Sequence, residues 1–563
     1  MKKAVRLALV CVLLGVSSGE LSAQELQQAA RVSRNIASIV GLSQEDAGKC
    51  GTSAMLYALS HMSQLTADQQ LKVAQAMQRI ERQKNRLSPS GRFRIHYDTT
   101  GLDAPALISS GSNPQRIPNT YEQFVDSVGF FFDNAWKLEI DSLGYPQPPS
   151  DGTAGGGPEC DVYIENLGSG YYGFTDKDVL LQDGTRQRFT SYISVHNDFL
   201  GFYSPGMSGL RVTAAHEFHH MIQLGVYGIW QNQRDFDRWF LELTSVWMER
   251  NAYPQIHDHY QYLANYLQRF KDGSNRSYQF NDPHFGGYER CLWAFFLEKR
   301  FGKIVMKDIW EGVKNAPVLI SMSSVLPTYG TTLESEFALF NAWNYYTADR
   351  ADPTRYYDDG KNYPRLAPNV STTFGGLTAS VSGAAYPMSF QAYQIALTSD
   401  TVTAMIANVN VGGALDPTSA SKTIRLNLSA TDLQPPYQKV ARGLGLTFSA
   451  DTMSQWRTLY LLSSTRSNAN AAPDVSPNPL RLSQDSKLVL PVQGATQGQA
   501  EVFLLNSALE LLYSRQYPVR QSFGNSYVDF PTADVRGAVP TGIYFVVAKC
   551  GDNEYKWKVA IIR

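Results

Sequence analysis

An excess of charge of either sign is missing from this chain. Its 50 basic and 51 acidic residues leave a formal net charge of −1. Nucleic-acid-binding domains carry a marked basic surplus, so no nucleic-acid partner is expected. Cysteine is scarce, with five in 563 residues and no Cys-x-x-Cys pair. So few cysteines cannot be the main source of stability, and a hydrophobic core must supply it. Their wide spacing also argues against a cysteine zinc site. No internal repeat is visible. Mean hydropathy is −0.27, and the one long apolar run lies at the N-terminus.

That run reads as a secretory signal. Lys2, Lys3 and Arg6 precede a ten-residue apolar stretch, 7–16, too short to span a bilayer. Ala23 closes a cleavage site, giving a signal over 1–23. Val10 before Cys11 does not suit a lipoprotein anchor. The competing reading is a short N-terminal core helix. Removal of 1–23 takes away Lys2, Lys3, Arg6 and Glu20, so the charge becomes −1 − 3 + 1 = −3. It leaves no membrane-spanning segment. It also leaves Cys50, Cys160, Cys291 and Cys550, which an exported protein can pair fully in three ways.

What remains is globular in composition, 43% apolar and 18% charged, and long enough for about three or four domains. Residues 24–90 are rich in Gln, Ala and Ser. There Thr66 and Gln69 form a capping-box pattern ahead of Leu71, Ala74, Met77 and Ile80, which predicts helix. This region is either a propeptide or the first helices of the main domain. Alternation at Phe93, Ile95 and Tyr97 predicts a strand. A long helix is predicted over 121–143, with strands at 161–165 and 191–195. Helices follow over 211–227, 236–251, 287–300 and 303–314. Strands before helices argue for an α+β domain over 91–350. Beyond about residue 365 short alternating runs predict all-β structure over 365–465. A polar linker at 463–473 leads to a second β-rich segment, 474–563. The expected class is multidomain, an α+β domain followed by all-β domains.

The chemistry concentrates in Arg211-Val-Thr-Ala-Ala-His216-Glu217-Phe218-His219-His220. On a helix, His216 and His220 share one face, and both imidazoles can meet a zinc ion at about 2.0–2.1 Å. Glu217 can then take a proton from water that zinc acidifies to a pKa of about 7. His-Glu-x-x-His arises by chance about once in a hundred unrelated chains of this size. His219, at the wrong spacing, is a packing or supporting neighbour rather than a ligand. A catalytic zinc takes three protein ligands. A third histidine six residues after His220 is ruled out, because Val226 stands there. Glu242, with 21 residues between it and His220, lies one helix and a return away. Apolar Leu241, Leu243, Val246 and Trp247 surround it, and a carboxylate there needs a partner. Asp235 and Asp237 are rivals for the third ligand. Glu249 is either a supporting group or an exposed helix-end charge.

His216-Glu217-x-x-His220 followed by Phe240-Leu-Glu242-Leu-Thr-Ser-Val-Trp-Met-Glu249 resembles the gluzincin metallopeptidases. Their second helix reads roughly Trp-Leu-x-Glu-Gly-x-Ala-x-Tyr-x-Glu. Leu243 stands for the usual Gly and Ser245 for the usual Ala, so the match is partial. The stretch from Tyr97 to Trp310 is similar to secreted metalloproteases of this group. The resemblance implies a zincin-like fold, Zn2+ held by His216, His220 and Glu242, and Glu217 as general base. It also implies Tyr288 as donor to the oxyanion, with His284 as the alternative and a groove-lining role as the competing reading of Tyr288. No Gly-x-Met-Glu-Asn element is present, which leans away from an aminopeptidase. At the other end, Val475-Ser-Pro477-Asn478-Pro479, Gly542-Ile-Tyr-Phe-Val-Val and Lys556-Trp-Lys558-Val-Ala-Ile-Ile-Arg563 resemble a type A sorting domain of the type IX secretion system. That implies an address over 474–563, the secretion machinery as partner, and export through the periplasm of a Gram-negative cell to its surface or medium. The competing reading is an ordinary β-sandwich. Together these readings predict a secreted zinc endopeptidase acting on proteins or peptides. A surface adhesin or binding protein with a degenerate metallopeptidase core is the alternative from another class. A glycosidase with paired carboxylates is a third.

Overall fold

The computed structural model describes residues 36–41, 48–168, 170–231, 237–268, 276–277, 279–281, 287–374, 378–396, 401–416, 418–431, 443–450, 456–463, 477–492, 498–506, 510–522, 525–551 and 553–563. The signal segment, Asp235, His284 and the 464–473 stretch of the polar linker lie outside the described residues. The chain divides into two compact units. One is 1–258 with 284–286, the other 259–283 with 287–563. The protein is multidomain, mixed α+β with further β-sheet domains.

The first unit opens with a four-residue helical turn, Ile36–Ile39, followed by helices α1 (Gly51–Ser60) and α2 (Ala67–Ala76). The capping box at α2 forms. Thr66 N donates to Gln69 Oε1 at 3.0 Å, and Gln69 N donates to Thr66 Oγ1 at 3.3 Å. These bonds satisfy amides that a helix start leaves without intrahelical partners. Next come strands β1 (Lys84–Leu87) and β2 (Phe93–Tyr97), helix α3 (Tyr121–Trp136), and strands β3 (Cys160–Glu165), β4 (Gly173–Gln182) and β5 (Arg186–His196). Helix α4 (Met207–Ile222), the two-residue β6 (Ile229–Trp230) and helix α5 (Arg238–Ala252) complete the unit.

The sheet order is β1-β2-β3-β5-β4, with β6 also pairing to β5. β2, β3 and β5 run parallel, while β1 and β4 are antiparallel. β4 is therefore an edge. It has no counterpart in the predicted elements, because its Thr-Asp-Lys-Asp stretch hides the period-2 pattern. The predicted strand at 191–195 is the end of the longer β5. The predicted helix over 121–143 is α-helical to Trp136 and then widens into a π-turn, Lys137–Ser142. Phe93 of β2 sits among Phe132 and Trp136 of α3 and Phe218 of α4, with centroids 5.3–6.0 Å apart. This cluster packs both helices against the sheet.

Two arginines fasten the chain just before β1. Arg79 meets Asp151, Asp161 and Asp178. Arg82 meets Asp98 at 3.2 Å, Asp103 at 2.8 Å and Glu165 at 2.9 Å. Each guanidinium can satisfy several carboxylates at once because its five donors form a rigid fork.

The second unit holds helices α6 (Tyr260–Leu267), α7 (Cys291–Phe301), α8 (Ile304–Val313), α9 (Val318–Val325) and α10 (Leu333–Trp343). Two four-stranded sheets follow. One is β14-β11-β10-β8 and the other β13-β12-β9-β7. Their strands are β7 (Arg276–Ser277), β8 (Val370–Thr373), β9 (Thr378–Ala385), β10 (Ser389–Ala396), β11 (Thr401–Asn408), β12 (Lys422–Thr431), β13 (Gly443–Ala450) and β14 (Trp456–Ser463). Tyr393, Ile395, Ile406, Ile424 and Leu426 form their shared core.

The last sheet has seven strands in the order β15-β21-β20-β17-β18-β19-β16. These are β15 (Leu480–Arg481), β16 (Lys487–Pro491), β17 (Gln499–Leu505), β18 (Leu511–Ser522), β19 (Asn525–Pro531), β20 (Gly542–Cys550) and β21 (Asn553–Ile562). Its core is its own, built from Leu488, Leu490, Val502, Leu504, Phe530, Val546 and Ile561 among others. The Pro-Asn-Pro stretch is tied to the last strand. Asn478 Nδ2 donates to the Lys558 carbonyl at 2.9 Å, and Ala560 N donates to Asn478 Oδ1 at 3.0 Å. No described helix is long and apolar enough to cross a membrane. Cys50, Cys160, Cys291 and Cys550 are all free thiols.

Candidate metal centre

Helix α4 carries the His-Glu-x-x-His run, and α5 returns beside it. Both helices are buried nearly throughout. His216 and His220 lie one turn apart on α4. Their Nε2 atoms point at each other across 3.1 Å. From α5, Glu242 Oε2 reaches 3.1 Å from His216 Nε2 and 3.5 Å from His220 Nε2. Tetrahedral ligands about 2.1 Å from a zinc ion stand about 3.4 Å from each other. The three atoms therefore already form one face of such a site.

The other ring nitrogens are held from behind. His216 Nδ1 is 2.6 Å from Glu249 Oε1. His220 Nδ1 is 2.6 Å from Gln223 Oε1. Gln223 is fixed in turn, since its amide donates to the Leu241 carbonyl at 3.1 Å and to Thr244 Oγ1 at 3.0 Å. Such partners set tautomer and ring orientation at metal sites. Glu249 is thus buried and supporting, not an exposed helix-end charge. Lys49 holds it, with Nζ 2.7 Å from Glu249 Oε1 and 2.6 Å from Asp258 Oδ2. Burial alone would lower the Lys49 pKa, but Asp258 and Glu249 outweigh it and keep the ammonium charged. Tyr172 OH completes the network with a 3.1 Å bond to Asp258.

Glu217 is not one of the converging ligand atoms. Thr175 Oγ1 donates to its Oε2 at 2.9 Å and to its main-chain carbonyl at 2.8 Å. Gly173, the first residue of β4, makes the approach possible. A Cβ there would lie 2.8 Å from the Ser194 carbonyl and 3.1 Å from Glu217 Cγ. Burial raises the Glu217 pKa, partly opposed by His216 and His220. Burial likewise disfavours the His216 cation, but Glu242 and Glu249 prevail and raise it to about 9. Glu242 shifts down, because His220 and His216 outweigh its burial.

The wide spacing of the cysteines argues against a cysteine zinc site, yet the fold brings one cysteine to this group. Cys50 Sγ joins His216, His220 and Glu242 in a buried group whose ligating atoms all lie within 4.8 Å of one another. The thiol is 3.5 Å from Glu217 Oε2. Burial, then Glu217 and Glu242, push its pKa up. A dication in the group would act the other way. Ser53, three residues on, donates to Glu242 Oε1 at 2.5 Å. Lys49, Cys50, Ser53, Gln223 and Asp258 were all missed as members of this site.

His219 faces away from the group and packs, Nδ1 against Glu139 Oε2 at 2.9 Å. Burial raises the Glu139 pKa and lowers that of His219, disfavouring the charged form of each. Asp237 stands at the start of α5 with a left-handed φ of 55° and is not among the ligating atoms. Tyr288 belongs to the second unit, where it opens the turn before α7 and is buried against Tyr262, centroids 5.0 Å apart. A buried Cys/His/His/Glu group able to hold a metal ion is therefore present in the first unit. Against known proteins, the chain matches no family model and no curated relative.

Proposed function

We propose that the first unit is a zincin-like metallopeptidase that hydrolyses protein or peptide substrates. The observation that carries this reading is the convergence of His216 Nε2, His220 Nε2 and Glu242 Oε2 at 3.1–3.5 Å, with the Glu217 carboxylate beside them. His216, His220 and Glu242 would hold Zn2+. A bound zinc ion would polarise the scissile carbonyl and acidify a water molecule. Glu217 takes the proton from that water, and its raised pKa suits a base that must later return it. Thr175 and Gly173 hold the Glu217 side chain, whose Oε2 lies 3.5 Å from Cys50 Sγ. Glu249 and Gln223 keep both imidazoles turned inward.

A second reading is favoured by Cys50. Four protein ligands make a closed site, which is the usual form of structural zinc. In that case the chain is a surface binding protein with a degenerate core. For the C-terminal sheet we propose the sorting role. Its own core and the clasp of Asn478 on β21 suit a separable address. The protein is then exported to the surface or medium of a Gram-negative cell.

The test measures zinc stoichiometry and casein hydrolysis. The protease reading predicts about one zinc per chain, lost in His220→Ala. Hydrolysis is assayed in a Cys50→Ala background, since that thiol stands within reach of Glu217. There Glu217→Gln should keep zinc and lose at least about 10²-fold in rate. Equal rates with and without Glu217, or full zinc in His220→Ala, would refute the reading.

A further inference from the structure

Building on the protease reading, we infer that Cys50 is the fourth ligand of the metal and holds the full-length chain latent. The argument starts from the backbone. Cys50 is extended, at φ −111° and ψ 127°, just ahead of α1. It forms a parallel bridge with Gly173, and Tyr172 N donates to the Lys49 carbonyl at 2.8 Å. β4 ends the sheet, so Lys49 and Cys50 add to its open edge. Edge strands recruit extended peptide in this way, with alternate side chains sent to one face. An extended substrate reaching the same metal face would need that same edge.

The side chain follows from this placement. Cys50 is fully buried, and its Sγ lies with the three other ligand atoms inside a 4.8 Å group. It is also 3.5 Å from Glu217 Oε2. Sulfur bonds zinc at about 2.3 Å. The thiol therefore lies beside both the other ligand atoms and the base, where water must enter for hydrolysis. On ligation the thiol proton leaves to Glu217 or solvent, and no other bond changes. Lys49, clamped by Glu249 and Asp258, anchors the neighbouring residue. The segment thus fills the edge and closes the metal together. Water and substrate gain access when Cys50 is withdrawn.

The experiment uses the full chain loaded with Co2+ for spectroscopy and Zn2+ for hydrolysis. Wild type should show thiolate-to-cobalt charge-transfer absorption in the near-ultraviolet. Cys50→Ala and Cys50→Ser should bind one Co2+ without that band. With zinc, both variants should cleave peptide at least about 10²-fold faster than wild type. Wild-type cobalt protein lacking the band would overturn the inference, and this measurement needs no variant. So would wild type cleaving as fast as Cys50→Ala. Either result leaves the protease reading standing. A wild-type band with metal-bound variants that both fail to cleave overturns latency and the protease reading together, and marks the closed site as structural.

Discussion

Replacing Glu249 by Ala separates the support of the metal ligand from the support of the fold. Two charged contacts disappear. His216 Nδ1 loses a partner at 2.6 Å, and Lys49 loses one at 2.7 Å. Groups of the first kind are worth about 10–100-fold in metal affinity, or about 1.4–2.7 kcal/mol. Breaking a buried ion pair from one side costs about 3–5 kcal/mol. Lys49 keeps Asp258 at 2.6 Å, so the lower end, about 3 kcal/mol, is expected. At about 2–4 °C per kcal/mol for a unit of this size, the melting midpoint should fall by about 6–12 °C. Lys49→Met is the contrast. It leaves Glu249 on His216, so zinc affinity should drop less than tenfold while stability still falls. Competition against a chromophoric chelator reads the affinity, and calorimetry reads the midpoint. Zinc affinity of Glu249→Ala within about twofold of wild type would refute the role given to Glu249.

Two further outcomes follow from the same geometry. His216 in the metal-free protein is raised from 6.5 to about 9, so zinc must displace its proton below that pH. In Cys50→Ala, where no thiol proton is displaced, zinc affinity should rise about tenfold per pH unit up to about pH 9, and a flat profile from pH 7 to 9 would contradict this. The raised value also stabilises the metal-free fold fully below pH 6.5, and the contribution is lost as pH rises through 9, which melting in a chelator will read. Truncation after Asn470 should leave zinc binding intact, because the core of the final sheet is its own. In the native host that truncated protein should stay in the periplasm. Its efficient release to the medium would exclude the sorting role, and loss of zinc would show that the final sheet supports the metal-binding fold.

The legible part of the site was the part written within one helix turn or two packed helices. His216, Glu217 and His220 follow from the helical period, and Glu242 from a carboxylate set among large apolar residues. Gln223 belongs to no motif legible in the sequence, although it fixes His220. Cys50 left no local signal. It lies 167 positions before Glu217 and arrives through an edge bridge, not a motif. Lys49 and Asp258 meet across 209 positions, which no spacing rule spans. In the fold, the helix at Tyr121 and the strand at Phe93 were readable because each has one apolar face. β4 was not, since an edge strand with half its length in solvent need not alternate. Helices α9 and α10 have no counterpart in the predicted elements either. The first is a short run of Ser and apolar residues, and the second lacks a clean apolar stripe.

Arg79 and Arg82 have a consequence for where the molecule can be divided. Each rivets the same short stretch to carboxylates of the sheet and its loops, on the upstream side of β1. Strain or cleavage that begins in α2 meets these two fastenings before it reaches β1. Helix α1 has ties of its own to β4, through Cys50 to Gly173 and Thr52 to Thr175. A cut on the far side of Arg82 would instead remove six ion-pair contacts from the sheet's own margin.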